Sequence, residues 1–178
     1  MEAANENRRY MPSHMSHEAF MEVFGGVYEH SPWIAEAVYA EGLTGSQDTI
    51  AGLHDSFRMQ VDEADDDRKL ALLRAHPDLA GKLAIAGDLT ADSTSEQASA
   101  ELDKCTPEEF AEFGSLNERY KKTFGFPYIL AVRGRNRQEI LDNFRTRVEN
   151  PRNIEFAEAL KQVHRIALLR IEALFQEK

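Results

Sequence analysis

The stretch 106–132, TPEEFAEFGSLNERYKKTFGFPYILAV, contains a well-marked helix followed by the one apolar run of the chain that looks like a strand. Thr106 precedes Pro107, and Glu109 follows three residues after the threonine. That is a capping box with proline at the first helical position, a strong start signal. Phe110, Phe113, Leu116, Tyr120 and Phe124 recur at helical spacing, and Gly125 provides the stop. The run Phe126-Pro127-Tyr128-Ile129-Leu130-Ala131-Val132 then has the length and β-branching of a strand. No second run of this kind exists to pair with it, and a lone strand is not stable. It is therefore expected as a buried extended or short helical segment. The fold class predicted is all-α, a multi-helix bundle in a single domain.

Elsewhere in the chain, helix signals follow one another closely. Ser16 caps a helix carrying Phe20, Val23, Phe24, Val27 and Tyr28. Ser31-Pro32 opens the next, which Gly42 ends. Ser46 or Asp48 is expected to open a third, with Ile50, Leu53 and Phe57 inward. The acidic run from Asp62 to Asp67 reads as a solvated loop that also places negative charge at the positive end of a following helix. That helix must end near Ala75-His76, because Pro77 pushes its predecessor out of the α region. Residues 79–94 read as an irregular connection, after which Ser93 or Ser95 is expected to cap a short helix with Glu96 and Gln97 in its first turn. Asn136 and Glu139 form a second capping box, and the last helix is expected from about Asn153 to Phe175. Residues 1–14 read as a flexible polar tail, leaving 15–178 as the domain.

The 178 residues carry 21 basic and 31 acidic side chains, a net charge of −10. Nucleic-acid binders need a basic field, so that class is disfavoured. An anionic substrate would need local arginine or lysine to offset the overall field. The single cysteine, Cys105, rules out an intrachain disulfide and suits a reducing compartment. It reads either as a catalytic thiolate at a helix start or as an inert small residue. No apolar run of about 18 residues exists, so no membrane span is expected. The polar N-terminus lacks an apolar signal core, and the cytoplasm is the default location.

Several kinds of site find no motif: zinc His-Glu-x-x-His, a cysteine pair, a di-iron Glu-x-x-His, a glycine-rich phosphate loop and a Gly-x-Ser-x-Gly elbow are all absent. A helical enzyme without these must rely on acid–base groups and fixed hydrogen-bond donors. Four candidates follow, each with a structural alternative. His76 reads as an acid–base group or as a histidine stabilised by a helix C-terminus. Glu96-Gln97 reads as a functional pair or as favourable first-turn charge. Arg133 and Arg135 read as a carboxylate clamp or as solvated loop residues. Arg170, in the apolar run 166–171, is either paired and buried or exposed on the polar stripe.

At these residues the chain resembles the 2-oxo-4-hydroxy-4-carboxy-5-ureidoimidazoline (OHCU) decarboxylases of purine breakdown. The resemblance rests on HPDLAGK at 76–82, on Ser93-x-x-Glu96-Gln97, on NERYKKTFGFPYILAVRG at 117–134 and, more weakly, on the pattern around Arg170. It covers about residues 15–175. It implies an all-α fold, a homodimer, no metal and no organic cofactor. It implies a carboxy-lyase for the last step from urate to (S)-allantoin, after urate oxidase and hydroxyisourate hydrolase. It places the catalytic histidine on His76, the functional glutamate on Glu96 and the C-terminal arginine on Arg170. Substrate binding falls on Pro77, on Ser93, Thr94, Ser95, Glu96 and Gln97, and on Tyr128, Ile129, Leu130, Ala131 and Val132. Two alternatives stay open: a hydrolase or hydratase acting on another ureide, and a helical binding module without catalysis.

Overall fold

A computed structural model describes residues 10–81 and 87–176. Among the described residues there are eight α-helices and no strand. They are α1 (His17–Phe24), α2 (Trp33–Glu41), α3 (Ile50–Glu63), α4 (Asp66–Arg74), α5 (Ala91–Ser99), α6 (Pro107–Phe124), α7 (Arg137–Arg147) and α8 (Arg152–Gln176). Short 3-10 turns lie at Pro12–His14, Gly45–Asp48 and Leu102–Lys104. The all-α expectation therefore holds. The chain divides into two compact units, one of residues 1–72 with 164–178 and one of residues 73–163.

In the first unit, Phe20, Phe24, Ile34, Val38, Leu53, Phe57, Val61 and Ile171 are fully or almost fully buried. Phe20 stacks on Phe57 with rings 6.4 Å apart. Ser16 caps α1 as expected, its Oγ accepting from Ala19 N at 3.2 Å. The start of α3 differs from expectation. Thr49 is the cap, accepting from Gly52 N at 3.0 Å, rather than Ser46 or Asp48. The reason is that Asp48 is engaged elsewhere: its two carboxylate oxygens accept from Ser13 N at 2.8 Å and Ser13 Oγ at 2.7 Å. Those bonds hold residues 10–14, part of the expected tail, against this unit; residues 1–9 lie outside the described residues. The acidic run is also mostly helical rather than a loop. The helices break only at Ala64-Asp65, where Asp65 Oδ1 accepts from Arg68 N at 2.8 Å and caps α4.

In the second unit, α6 and α7 enclose a core of Phe113, Tyr120, Phe124, Phe126, Tyr128, Ile140 and Phe144, all at most 1% exposed. Both expected capping boxes, Thr106 with Glu109 and Asn136 with Glu139, are made in full. Gly125 ends α6 at φ 80°, a left-handed conformation suited to glycine. The run 126–132 has no regular structure and is buried throughout, the extended alternative of the two expected.

Candidate active site

His76 follows α4 by two residues, where Pro77 prevents the helix from continuing. Its N–H closes a tight turn onto the Leu73 carbonyl at 3.3 Å, and the residue is 9% exposed. The chain then turns sharply. Ala80 adopts a positive φ of 48°, and a Cβ on Gly81 would lie 2.7 Å from Asp78 Cβ, so this glycine admits no side chain without movement. A non-glycine residue at positive φ persists only where its surroundings hold it.

The side chains that hold it come from α5 and α6. Gln97 Oε1 accepts from Ala80 N at 3.0 Å, and its Nε2 donates to the Asp78 carbonyl at 3.3 Å. Asn117 Nδ2 donates to the Leu79 carbonyl at 2.9 Å. Lys121 Nζ donates to Asp78 Oδ2 at 2.7 Å. The bend after His76 is thus stapled residue by residue. A cavity of about 600 Å³ opens beside it, bordered by His76, Pro77, Asp78, Asn117, Lys121 and Phe126. Arg74 also borders it, donating through Nε to the Gly125 carbonyl at 2.8 Å. Asn117, Lys121 and Arg74 were not singled out from the sequence. Asn117 and Lys121 lie in the polar spacing of an amphipathic helix, and nothing local separates them from solvated residues.

The serine-to-glutamine segment is repositioned relative to expectation. Thr90, not Ser93 or Ser95, caps α5, its hydroxyl accepting from Ser93 N at 3.2 Å. With the helix starting earlier, Ser93, Glu96 and Gln97 fall on one face at i, i+3 and i+4, and Ser93 and Gln97 are buried. Thr94 and Ser95 are exposed. Thr94 and Gln97 border a second cavity of about 460 Å³ together with Ala80, Leu102, Cys105 and Phe110. Cys105 donates through Sγ to the Leu102 carbonyl at 3.3 Å, and burial, then the nearby Glu109 charge, pushes its thiol pKa up. That favours the inert reading over a thiolate. Residues 82–86, including Lys82 of the HPDLAGK block, lie outside the described residues.

The segment Tyr128–Val132 is held by side chains instead of a partner strand. Ile129 O accepts from Arg147 Nη1 at 2.5 Å, and Ala131 N donates to Gln162 Oε1 at 3.0 Å. Ala131 O accepts from Arg135 Nε at 3.2 Å, which occupies one of the two arginines considered as a carboxylate clamp; Arg133 is exposed. Tyr128 stacks on Phe144 at 3.7 Å, and its hydroxyl donates to Asn143 Oδ1 at 2.5 Å. Arg170 belongs to the first unit. It is 4% exposed, with Nη2 placed 2.8 Å from Glu29 Oε2 and Nη1 donating to the Val27 carbonyl at 3.4 Å. Of its two sequence alternatives, paired and buried is the one observed. Glu29, itself 2% exposed, had no local sequence signal. Among the described residues, no group of three or more His, Cys, Asp and Glu is arranged to hold a metal ion.

Comparison with known proteins places the chain among characterised relatives. Residues 13–172 match the family model described as OHCU decarboxylase. A 2-oxo-4-hydroxy-4-carboxy-5-ureidoimidazoline decarboxylase of Haloferax volcanii is 38% identical over 161 residues, covering 90% of this chain and 92% of its own. A uric acid degradation bifunctional protein of Bacillus subtilis is 37% identical over 164 residues, which is 92% of this chain but 32% of that one. A crystal structure of (S)-allantoin synthase superposes with a TM-score of 0.72 at 32% identity, over 92% of this chain and 52% of that chain. With the family model spanning nearly the whole sequence and a full-length relative above one-third identity, this chain belongs to the OHCU decarboxylase family.

Proposed function

We propose that this protein decarboxylates OHCU to (S)-allantoin in urate degradation, with His76 delivering a proton to one face of the ring carbon that bears the ureido group. Family membership carries the substrate. The observation that carries the site is the stapled bend that presents His76 and Pro77 to a cavity. The carbon–carbon bond to the carboxylate breaks, CO2 leaves, and the electron pair moves into the bond to the ureido-bearing carbon and onto the ring nitrogen, which takes up a proton. The ureido-bearing carbon then takes a proton while the hydroxyl on the decarboxylated carbon gives one up and becomes the carbonyl. Catalysis requires donors aimed where that charge develops. It also requires a proton from one side, or the product is racemic. Histidine is suited to the transfer because its ordinary pKa lies near neutral pH.

Glu96, on the same helix face as Ser93 and Gln97, holds the substrate hydroxyl or orients the reacting group. Pro77, Ser93, Thr94, Ser95 and Gln97, with the backbone of Tyr128, Ile129, Leu130, Ala131 and Val132, grip the ureide and ring edges. Support for the last of these is that the segment's backbone is immobilised by side chains. Arg170 pairs with the substrate carboxylate, an assignment resting on the family resemblance, since Glu29 already matches its charge in the free protein. The reaction needs no metal or organic cofactor, the enzyme works as a homodimer, and it resides in the cytoplasm. Among the described residues, no helix is long and apolar enough to cross a membrane. Neither a ureide hydrolase or hydratase nor a non-catalytic module is favoured over this reading.

The test generates OHCU in place from urate with urate oxidase and hydroxyisourate hydrolase, adds this protein, and follows absorbance and circular dichroism of the allantoin formed. Acceleration with an (S) excess is expected. His76→Asn should lower kcat by about 10²-fold or more and erase the excess while leaving the far-ultraviolet spectrum unchanged. An unchanged rate and (S) excess in that variant would sink the scheme.

A further inference from the structure

A buried extended segment must find partners for its peptide groups, and a sheet normally supplies them. Here the supply for Ile129 comes from an ion pair sunk in the core. Arg147 is 4% exposed and Glu155 is fully buried. Arg147 Nε lies 3.0 and 3.2 Å from the two Glu155 oxygens, and Nη2 lies 2.9 Å from Oε2. Nη1 points the other way and donates to the Ile129 carbonyl at 2.5 Å. The guanidinium also lies over the Tyr128 ring, 4.7 Å from its centre. Glu155 is held in turn: Asn150 Nδ2 donates to Oε1 at 3.0 Å, and the Tyr120 hydroxyl donates to Oε2. Burial opposes the Arg147 charge, but the hydrogen bonds and charge of Glu155 outweigh it and hold its pKa above the ordinary value.

Such a pair is a poor device for stability alone. Apolar residues of similar volume usually do as well or better in a core. What an apolar pair lacks is a rigid, planar set of donors that fixes one carbonyl in place. Next to that carbonyl, and between it and the Gln162-held amide of Ala131, lies Leu130. Among the described residues, neither the N–H nor the carbonyl of Leu130 makes a hydrogen bond within the chain. One buried peptide edge is therefore clamped on both flanks, and its own N–H and carbonyl are a donor and an acceptor of the kind a ureide pairs with.

We propose that Arg147, locked by Glu155, is a positioning residue of the reaction: it fixes the Ile129 carbonyl and so sets where the Leu130 backbone meets the substrate's ureide. This rests on the reading of Tyr128–Val132 as a substrate-binding segment. Misplacement of a bound group by about 1 Å is enough to cost on the order of 10²-fold in rate.

The test compares the whole protein with two variants, the charge-free double replacement Arg147→Met with Glu155→Leu and the single Arg147→Lys. Each is measured for folding by circular dichroism, for KM and kcat with OHCU generated in place, and for amide hydrogen exchange in peptides covering 126–135. The double variant is expected to fold, to exchange faster in those peptides, and to show kcat/KM lowered roughly 10- to 100-fold, with KM raised. Lysine keeps the charge but cannot hold Glu155 and the carbonyl together, so it should fall between the two. Wild-type exchange in 126–135 together with wild-type kinetics overturns the proposal. Faster exchange with wild-type kinetics shows that Arg147 does hold the segment and that the segment does not bind substrate, which overturns the reading beneath it. If the double variant does not fold, Arg147→Lys decides by the same two readouts; if neither folds, the pair is a stability element and the proposal fails.

Discussion

His164 shows how a side chain without a part in the proposed chemistry still sets a pH limit. Its Nδ1 lies 2.9 Å from the Tyr28 hydroxyl, and its Nε2 lies 3.4 Å from Asp62 Oδ1. Neutral imidazole with its proton on Nε2 accepts from tyrosine at Nδ1 and turns the N–H toward Asp62. Burial lowers its pKa, with Asp62 pulling weakly the other way. The unfolded chain therefore takes up a proton as pH falls through about 6.5, while the folded protein resists. This contribution is fully present at higher pH and declines on acidification toward the depressed folded value. Urea unfolding should show a midpoint that drops between about pH 7.5 and 5.5, with the drop smaller in His164→Gln. An equal drop in both proteins would assign the acid sensitivity to other groups. At this scale His76, Glu96 and Arg170 were legible as chemistry-bearing residues, whereas Asn117, Arg147 and Glu155 were not. Nothing in the local pattern distinguishes a buried polar residue on a helix from a solvated one until its partners are known.

At the scale of elements, punctuation decided most of what could be read. The capping boxes at Thr106 and Asn136, the cap at Ser16, and the glycine stops at Gly42 and Gly125 all stand where the residues indicated. The departures have separate causes. Asp48 would cap α3 but is taken by Ser13, and Thr90 caps α5 ahead of the serines. Gly125 offers a clean test of a backbone term. At φ 80°, an added Cβ would meet Arg74 Nη2 at 3.7 Å, an ordinary contact, so the cost of Gly125→Ala is conformational. It should lower unfolding stability by about 1 kcal/mol, read as a lower urea midpoint at unchanged slope. No loss would mean that the end of α6 relaxes to another conformation.

For the molecule as a whole, the proposed homodimer predicts sedimentation at twice the mass of the 178-residue chain, independent of dilution through the assay range. A single monomer mass would remove that part of the proposal and leave the chemistry untouched. The all-α class followed from the sequence by itself. Helix starts and stops are local, and a lone strand-like run without a partner cannot build a sheet. The family and its candidate residues were equally legible, because HPDLAGK, Ser93 to Gln97 and the 117–134 block are contiguous strings. What the tertiary structure alone decided is how those strings are held. The bend at 78–80 is fixed by Gln97 and Asn117 on its backbone and by Lys121 on the Asp78 carboxylate, and Ile129 by Arg147 against Glu155. These bonds join residues 17 to 43 positions apart in the first case and 18 in the second. The physical reason is that a buried peptide group in an irregular segment takes whatever donor or acceptor packing brings to it. The run Phe126–Val132 shows the division: its lack of a strand partner was evident from the sequence, and the arginine that replaces one was not.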